Sequence, residues 1–143
     1  MKSLPCLLIS LFLTVCLSAV SAEPSNVPFT IGKQEFKSGD GIVIERVLAT
    51  SSALKVGDKV IVRGHFKWEG APQANLGLFA THRTHASADP AARSQTMRVA
   101  RARGTFDLSG EIIYEGDIHV SFYPVTGGEA FGGVYFTVGP QDL

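Results

Sequence analysis

Between Val60 and Trp68 the character of the side chain changes at every step. Val60, Val62, Phe66 and Trp68 fall on one side, with Gly64 in the series, and Ile61, Arg63, His65 and Lys67 fall on the other. A period of two with one apolar side describes a half-buried antiparallel strand, because successive Cβ atoms leave a strand on opposite faces. Such a strand needs partners of the same kind, and the remaining sequence supplies them. Ile42–Ala49 is rich in β-branched residues, and Asn75–Thr81 alternates again, with Leu76, Leu78 and Ala80 facing one way. Phe106, Leu108, Ile112 and Tyr114 hold one parity, with Gly110 expected as a bulge or bend between them. Phe29–Ile31 reads as a short first strand closed by Gly32.

The densest β-forming block is at the C-terminus, where Gly116–Pro124 and Phe131–Val138 flank a glycine-rich turn. Gly127–Gly128 suits a tight turn, and Gly132–Gly133 suits a bulge, a close strand crossing or a ligand approaching the backbone, with bulge or crossing favoured. Further turn signals stand at Ser38–Gly41, at Gly57–Asp58, at Glu69–Pro72, where the strand through Trp68 is expected to end, and at Glu115–Asp117. About seven or eight short strands with turns roughly every 8–12 residues predict an all-β chain. The expected architecture is a single antiparallel β-sandwich of immunoglobulin-like kind, forming one domain over residues 23–143. Two stretches resist this pattern. His82–Arg93 has no usable period, and residues 91–103 satisfy either a strand with Met97 and Val99 opposed to arginines or an Ala/Arg-rich helix. The β character of the surroundings favours the strand.

The first 22 residues predict the compartment. Lys2 supplies a positive start, Leu4–Val15 is a short apolar run, and Val20–Ser21–Ala22 offers the small residues of a cleavage site. The run is shorter than the roughly 20 residues a spanning helix needs, so the expectation is a removed signal peptide, no membrane span afterwards, and export to a bacterial periplasm or medium. Both cysteines, Cys6 and Cys16, lie inside that leader. The remainder must fold on its apolar core alone, without a disulfide, a thiolate metal site or a cysteine nucleophile. With 13 Lys and Arg against 13 Asp and Glu, the charge balance gives no reason to expect nucleic acid as a partner.

Phe36–Asp40 with Ile42–Ile44, then Val56–Asp58, His119–Pro124 and Phe131–Phe136, resemble a small bacterial exported immunoglobulin-like module. The resemblance spans nearly all of residues 23–143 and implies fold and compartment. It carries over no activity and no site residues.

The chemistry-bearing side chains are few. His82 and His85 have ligand-like spacing, but zinc or copper needs at least one more donor, from Asp89, His65 or His119, so the alternatives are a periplasmic metal site and two solvated histidines. A hydrolase of unknown substrate is a further alternative, although no G-x-S-x-G elbow, phosphate loop or dinucleotide fingerprint occurs. No cofactor is implied. Arg93, Arg98, Arg101 and Arg103 form a basic cluster best read as charge protecting a strand edge. In the terminal hairpin, Ile118, Val120, Phe122, Val134, Phe136 and Val138 are expected to face the core, with His119, Ser121, Tyr123, Tyr135 and Thr137 outside. His119, Tyr123 and Tyr135 are the candidate ligand-binding residues, since Tyr presents a flat apolar body with a polar tip. The function expected is non-catalytic binding of an envelope protein or glycan.

Overall fold

The structure, a computed structural model, describes residues 22–82, 96–113 and 115–140, with His82 described through its backbone alone. The candidate leader up to Ser21, His85, Asp89, Arg93 and Tyr114 lie outside the described residues.

Among the described residues all regular structure is strand: β1 (Ser25–Asn26), β2 (Phe29–Glu35), β3 (Gly41–Ala49), β4 (Lys59–His82), β5 (Thr96–Glu111), β6 (Gly116–Tyr123) and β7 (Gly132–Val138). Every pairing is antiparallel. The strands form one hydrogen-bonded sheet in the order β1-β3-β4-β6-β7-β2, with β5 also paired to β4. The described part of residues 91–103, from Thr96 onward, is strand and not helix.

β4 organises the sheet. Its first half pairs with β3 through Val60–Lys67 and its second half with β6 through Asn75–His82, while β5 runs beside both halves. The expected break at Glu69–Pro72 is a wide irregularity inside one strand, where the register with β5 shifts between Trp68 and Gln73. Tertiary contacts override the local Gly-Ala-Pro signal. The Trp68 ring folds over Gly70, its Nε1 donates to the Ala71 carbonyl at 2.8 Å, and Arg101 Nη2 donates to the Gly70 carbonyl at 2.7 Å. Likewise β2 continues past Gly32 to Glu35, absorbing a register shift between Ile31 and Gln34 against β7. Gly110 makes no bulge, being paired in register with Val60.

The core lies between the inward faces of the two halves. Val60, Val62, Phe66 and Trp68 from the first half meet Leu76, Leu78, Val120, Phe122, Val134 and Phe136 from the second, with Phe106 and Leu108 of β5 included. The Phe122 ring joins them, 4.6 Å from the Trp68 ring and 6.2 Å from Phe66 in an edge-on contact. β3 and β7 share no hydrogen bonds yet approach each other across this interior, so the sheet curls over its own apolar face. Each fully buried large side chain contributes about 1.5–3 kcal/mol by leaving water, and this core holds the described residues, none of which is a cysteine.

Two turns repeat one solution. Lys37–Asp40 and Lys55–Asp58 both read Lys-x-Gly-Asp, with the Asp amide donating to the Lys carbonyl at 3.1 and 3.0 Å. The glycines occupy the third position at φ 95° and 96°, which a residue with a Cβ adopts only under strain. The aspartates then brace the sheet. Asp40 accepts from the Glu69 amide at 2.7 Å; Asp58 accepts from the Lys55 amide at 2.8 Å, from Thr50 Oγ1 at 2.9 Å and from Ser51 Oγ.

Candidate functional site

The outward faces of the two halves differ in chemistry. On the first half, Arg63 and Asp107 pair at 2.7 Å, Lys67 and Glu69 at 2.6 Å, and His65 and Glu45 at 3.3 Å. Arg98, Arg101 and Arg103 stand exposed along β5. Exposed pairs of this sort contribute little energy and keep a face wetted. On the second half, the register sets Phe79 opposite His119 and His119 opposite Tyr135, a cross-strand rung of three rings.

That rung is packed as a second, smaller cluster. The His119 ring lies 4.6 Å from Tyr135 at 29° and 5.7 Å from Phe79 at 27°, and Phe79 reaches on to Tyr123 at 4.6 Å. Both ring nitrogens have partners: Nε2 is 2.8 Å from Thr81 Oγ1 and Nδ1 is 2.7 Å from Ser121 Oγ. A neutral imidazole donates through one nitrogen and accepts through the other, and hydroxyls can meet either tautomer. His119 and Ser121 are each 2 % exposed. Burial pushes the imidazole down to about 4, against a smaller upward pull from the Asp117 carboxylate, so His119 is neutral across ordinary pH. Burial also raises the Tyr123 hydroxyl, with Tyr135 adding to the effect.

The glycines of the neighbouring rung make this packing possible. Ser121 pairs with Gly77 on one side and Gly133 on the other. A Cβ at Gly133 would collide with Ser121 Oγ, and one at Gly77 would strike the Phe79 ring and the Thr96 methyl. Missing side chains at these points let the Phe79 ring lean over β4 and the Ser121 hydroxyl lie against β7. Of the expectations for Gly132–Gly133, the close crossing is observed: a Cβ at Gly132 would run into the Glu35 carbonyl.

On the other side of the aromatic rung the polar pair Thr81 and Asp117 faces across β4 and β6. Together with Gly32, Lys33, Tyr135 and Thr137 these residues line a shallow groove of about 370 Å³.

The three candidates named from the sequence, His119, Tyr123 and Tyr135, are brought together on one outward face. The division of the hairpin by parity holds for Ile118, Val120, Phe122, Val134 and Phe136, which are buried, whereas Val138 is half-buried. The outward set departs from a solvated stripe. His119 and Ser121 are sealed beneath aromatic rings, Tyr123 and Tyr135 are half-buried, and Thr137 alone is exposed. Phe79 and Thr81 escaped notice in the sequence, because their roles follow from the β4–β6 register. His82 is placed only by its backbone pairing with Gly116, and His85 lies outside the described residues. His65 stands on the first half beside Glu45, away from His119. Among the described residues no three His, Cys, Asp or Glu side chains are grouped to hold a metal ion. No protein-family model, curated protein or solved structure matches this chain.

Proposed function

We propose that residues 23–143 form an exported, non-catalytic β-sandwich of immunoglobulin-like kind that binds a partner at the bacterial cell envelope through the outward face of β4, β6 and β7. The observation that carries this reading is the Phe79–His119–Tyr135 rung with Tyr123 beside it. An outward sheet face has no need of stacked aromatics over a satisfied polar network, and the first half of the same sheet is covered by ion pairs instead. The curl that brings β3 near β7 supports two facing layers, and the Lys2–Ala22 pattern supports export. The contact of Ser121 with His119 is buried on both sides, so no substrate reaches this pair as a nucleophile and base would require.

Capture from an envelope extract tests the reading. Wild-type protein is expected to retain a specific component that a Tyr123→Ala/Tyr135→Ala variant of native circular dichroism does not retain. Equal retention by both proteins, or retention of nothing specific, sinks the reading.

A further inference from the structure

Resting on the binding reading above, we infer that the groove beside Tyr135 is a carbohydrate subsite for a neutral pyranose of a larger glycan. The groove joins two neighbouring rungs of one sheet face. One rung ends in the Tyr135 ring, whose orientation is fixed by stacking on His119 at 4.6 Å. The next presents the Thr81 side chain opposite Asp117, with Thr137 following Phe136 on β7. Sugar rings need this combination, because their C–H faces pack on aromatic rings while their rim hydroxyls both donate and accept.

The charges at the groove select the ligand class. Lys33, already paired with Glu35, and Asp117 put both signs of charge at the groove, so no concentration of one sign selects an anionic or cationic ligand and a neutral polyol is favoured. At about 370 Å³ the space is at the small end of ligand sites, roughly 300–1,000 Å³, and fits one or two sugar units of a chain that continues beyond it. The polar side chains are already committed to the fold's own bonds in part, with Lys33 Nζ 2.9 Å from Glu35. A sugar hydroxyl therefore joins these groups as an additional partner, and no buried charge is left to compensate.

Gly32 offers a clean way to close the groove. Its φ is not in the left-handed region, and the nearest atoms a Cβ there would meet are the Tyr135 carbonyl oxygen, Cβ and carbonyl carbon at ordinary contact distances of 3.5, 3.7 and 3.8 Å. A larger side chain at this position thus projects beside Tyr135 and occupies the groove without disturbing the core.

The experiment is amide chemical-shift mapping of the full exported chain with cellohexaose, chitohexaose and maltohexaose as probes. The expected result is saturable shifts at Gly32, Thr81, Thr137 and Tyr135 with at least one probe, weakened about tenfold or more by Gly32→Leu and by Tyr135→Ala. Shifts centred on Phe79 and Tyr123 and indifferent to Gly32→Leu overturn the subsite while leaving the face as a binding surface. Absence of shifts with all three sugars, when the envelope extract still yields a component lost in the tyrosine variant, overturns the carbohydrate assignment alone. Absence of both removes the binding reading as well.

Discussion

Acidification should destabilise this protein through His119. In the folded chain the imidazole is held down to about 4 by burial, against an ordinary 6.5 when unfolded. Because the folded value is the lower one, the unfolded chain binds a proton first as pH falls. Stability is therefore intact above about pH 6.5, declines through the interval, and levels off below about pH 4. Each unit of difference is worth about 1.4 kcal/mol, so the full loss approaches roughly 3 kcal/mol, with about 1 kcal/mol gone by about pH 5.5. Protonation need break no hydrogen bond, since the Thr81 and Ser121 hydroxyls can both accept. The cost is the desolvated charge, and the flanking Phe79 and Tyr135 rings return a part of it, which holds the loss below the full value of the gap. Urea denaturation at several pH values, for wild type and His119→Gln, isolates the term. The variant is less stable near pH 7 because it gives up both stacking contacts, but its stability should fall less steeply than that of wild type between about pH 6.5 and 4. Parallel curves for the two proteins, or an imidazole proton resonance titrating at its ordinary value, would refute the argument.

Trp68→Ala should cost about 3–5 kcal/mol in the midpoint of chemical unfolding, because the ring is 1 % exposed, packs on Phe122 and Phe131, and clasps the β4 irregularity through Ala71. Gly133→Ala should destabilise by about 1–3 kcal/mol through overpacking, since its methyl group meets Ser121 Oγ and the Val120 carbonyl. Adding Ser121→Gly should recover part of that loss, and a double-mutant cycle with zero coupling contradicts the contact. Asp58→Ala should cost about 1–2 kcal/mol by releasing the Lys55 amide and the two hydroxyls. Partial desolvation pushes the Asp58 carboxyl up, but the bonds from Ser51, Lys55 and Thr50 outweigh it and hold it below the ordinary 3.8. That share of stability is present above the ordinary value and disappears as pH falls through the folded one, so the difference between wild type and Asp58→Ala should shrink in strong acid.

Parity was legible wherever one face of a strand is uniformly apolar. The sides assigned to Val60–Trp68 and to the terminal hairpin are the sides observed, because a period of two is local and needs no knowledge of the partner strand. Boundaries were less legible. Glu69-Gly70-Ala71-Pro72 carries every local sign of a strand end, yet Trp68 and Arg101 hold it as an irregularity in a strand that continues to His82. Gly32 likewise reads as a stop and is instead a point inside β2, since β7 pairs on both sides of it. In each case a long-range partner decides, and a local pattern has no term for it.

The outward aromatic cluster shows the same limit from the functional side. Sequence parity puts His119, Tyr123 and Tyr135 on one face, but the facing residue on β4 depends on a register set nearly forty positions away, in which Phe79 rather than Leu78 meets His119. A one-residue slip would set Leu78 against His119 and turn the Phe79 ring inward. Gly77 and Gly133 enforce the observed register in a second way, because only a strand bearing glycine at those two points lets Ser121 and the Phe79 ring occupy the space between. The glycines that look like weaknesses in β-forming stretches are thus what allow a neutral, aromatic surface to assemble on the side of the sheet that the core does not need.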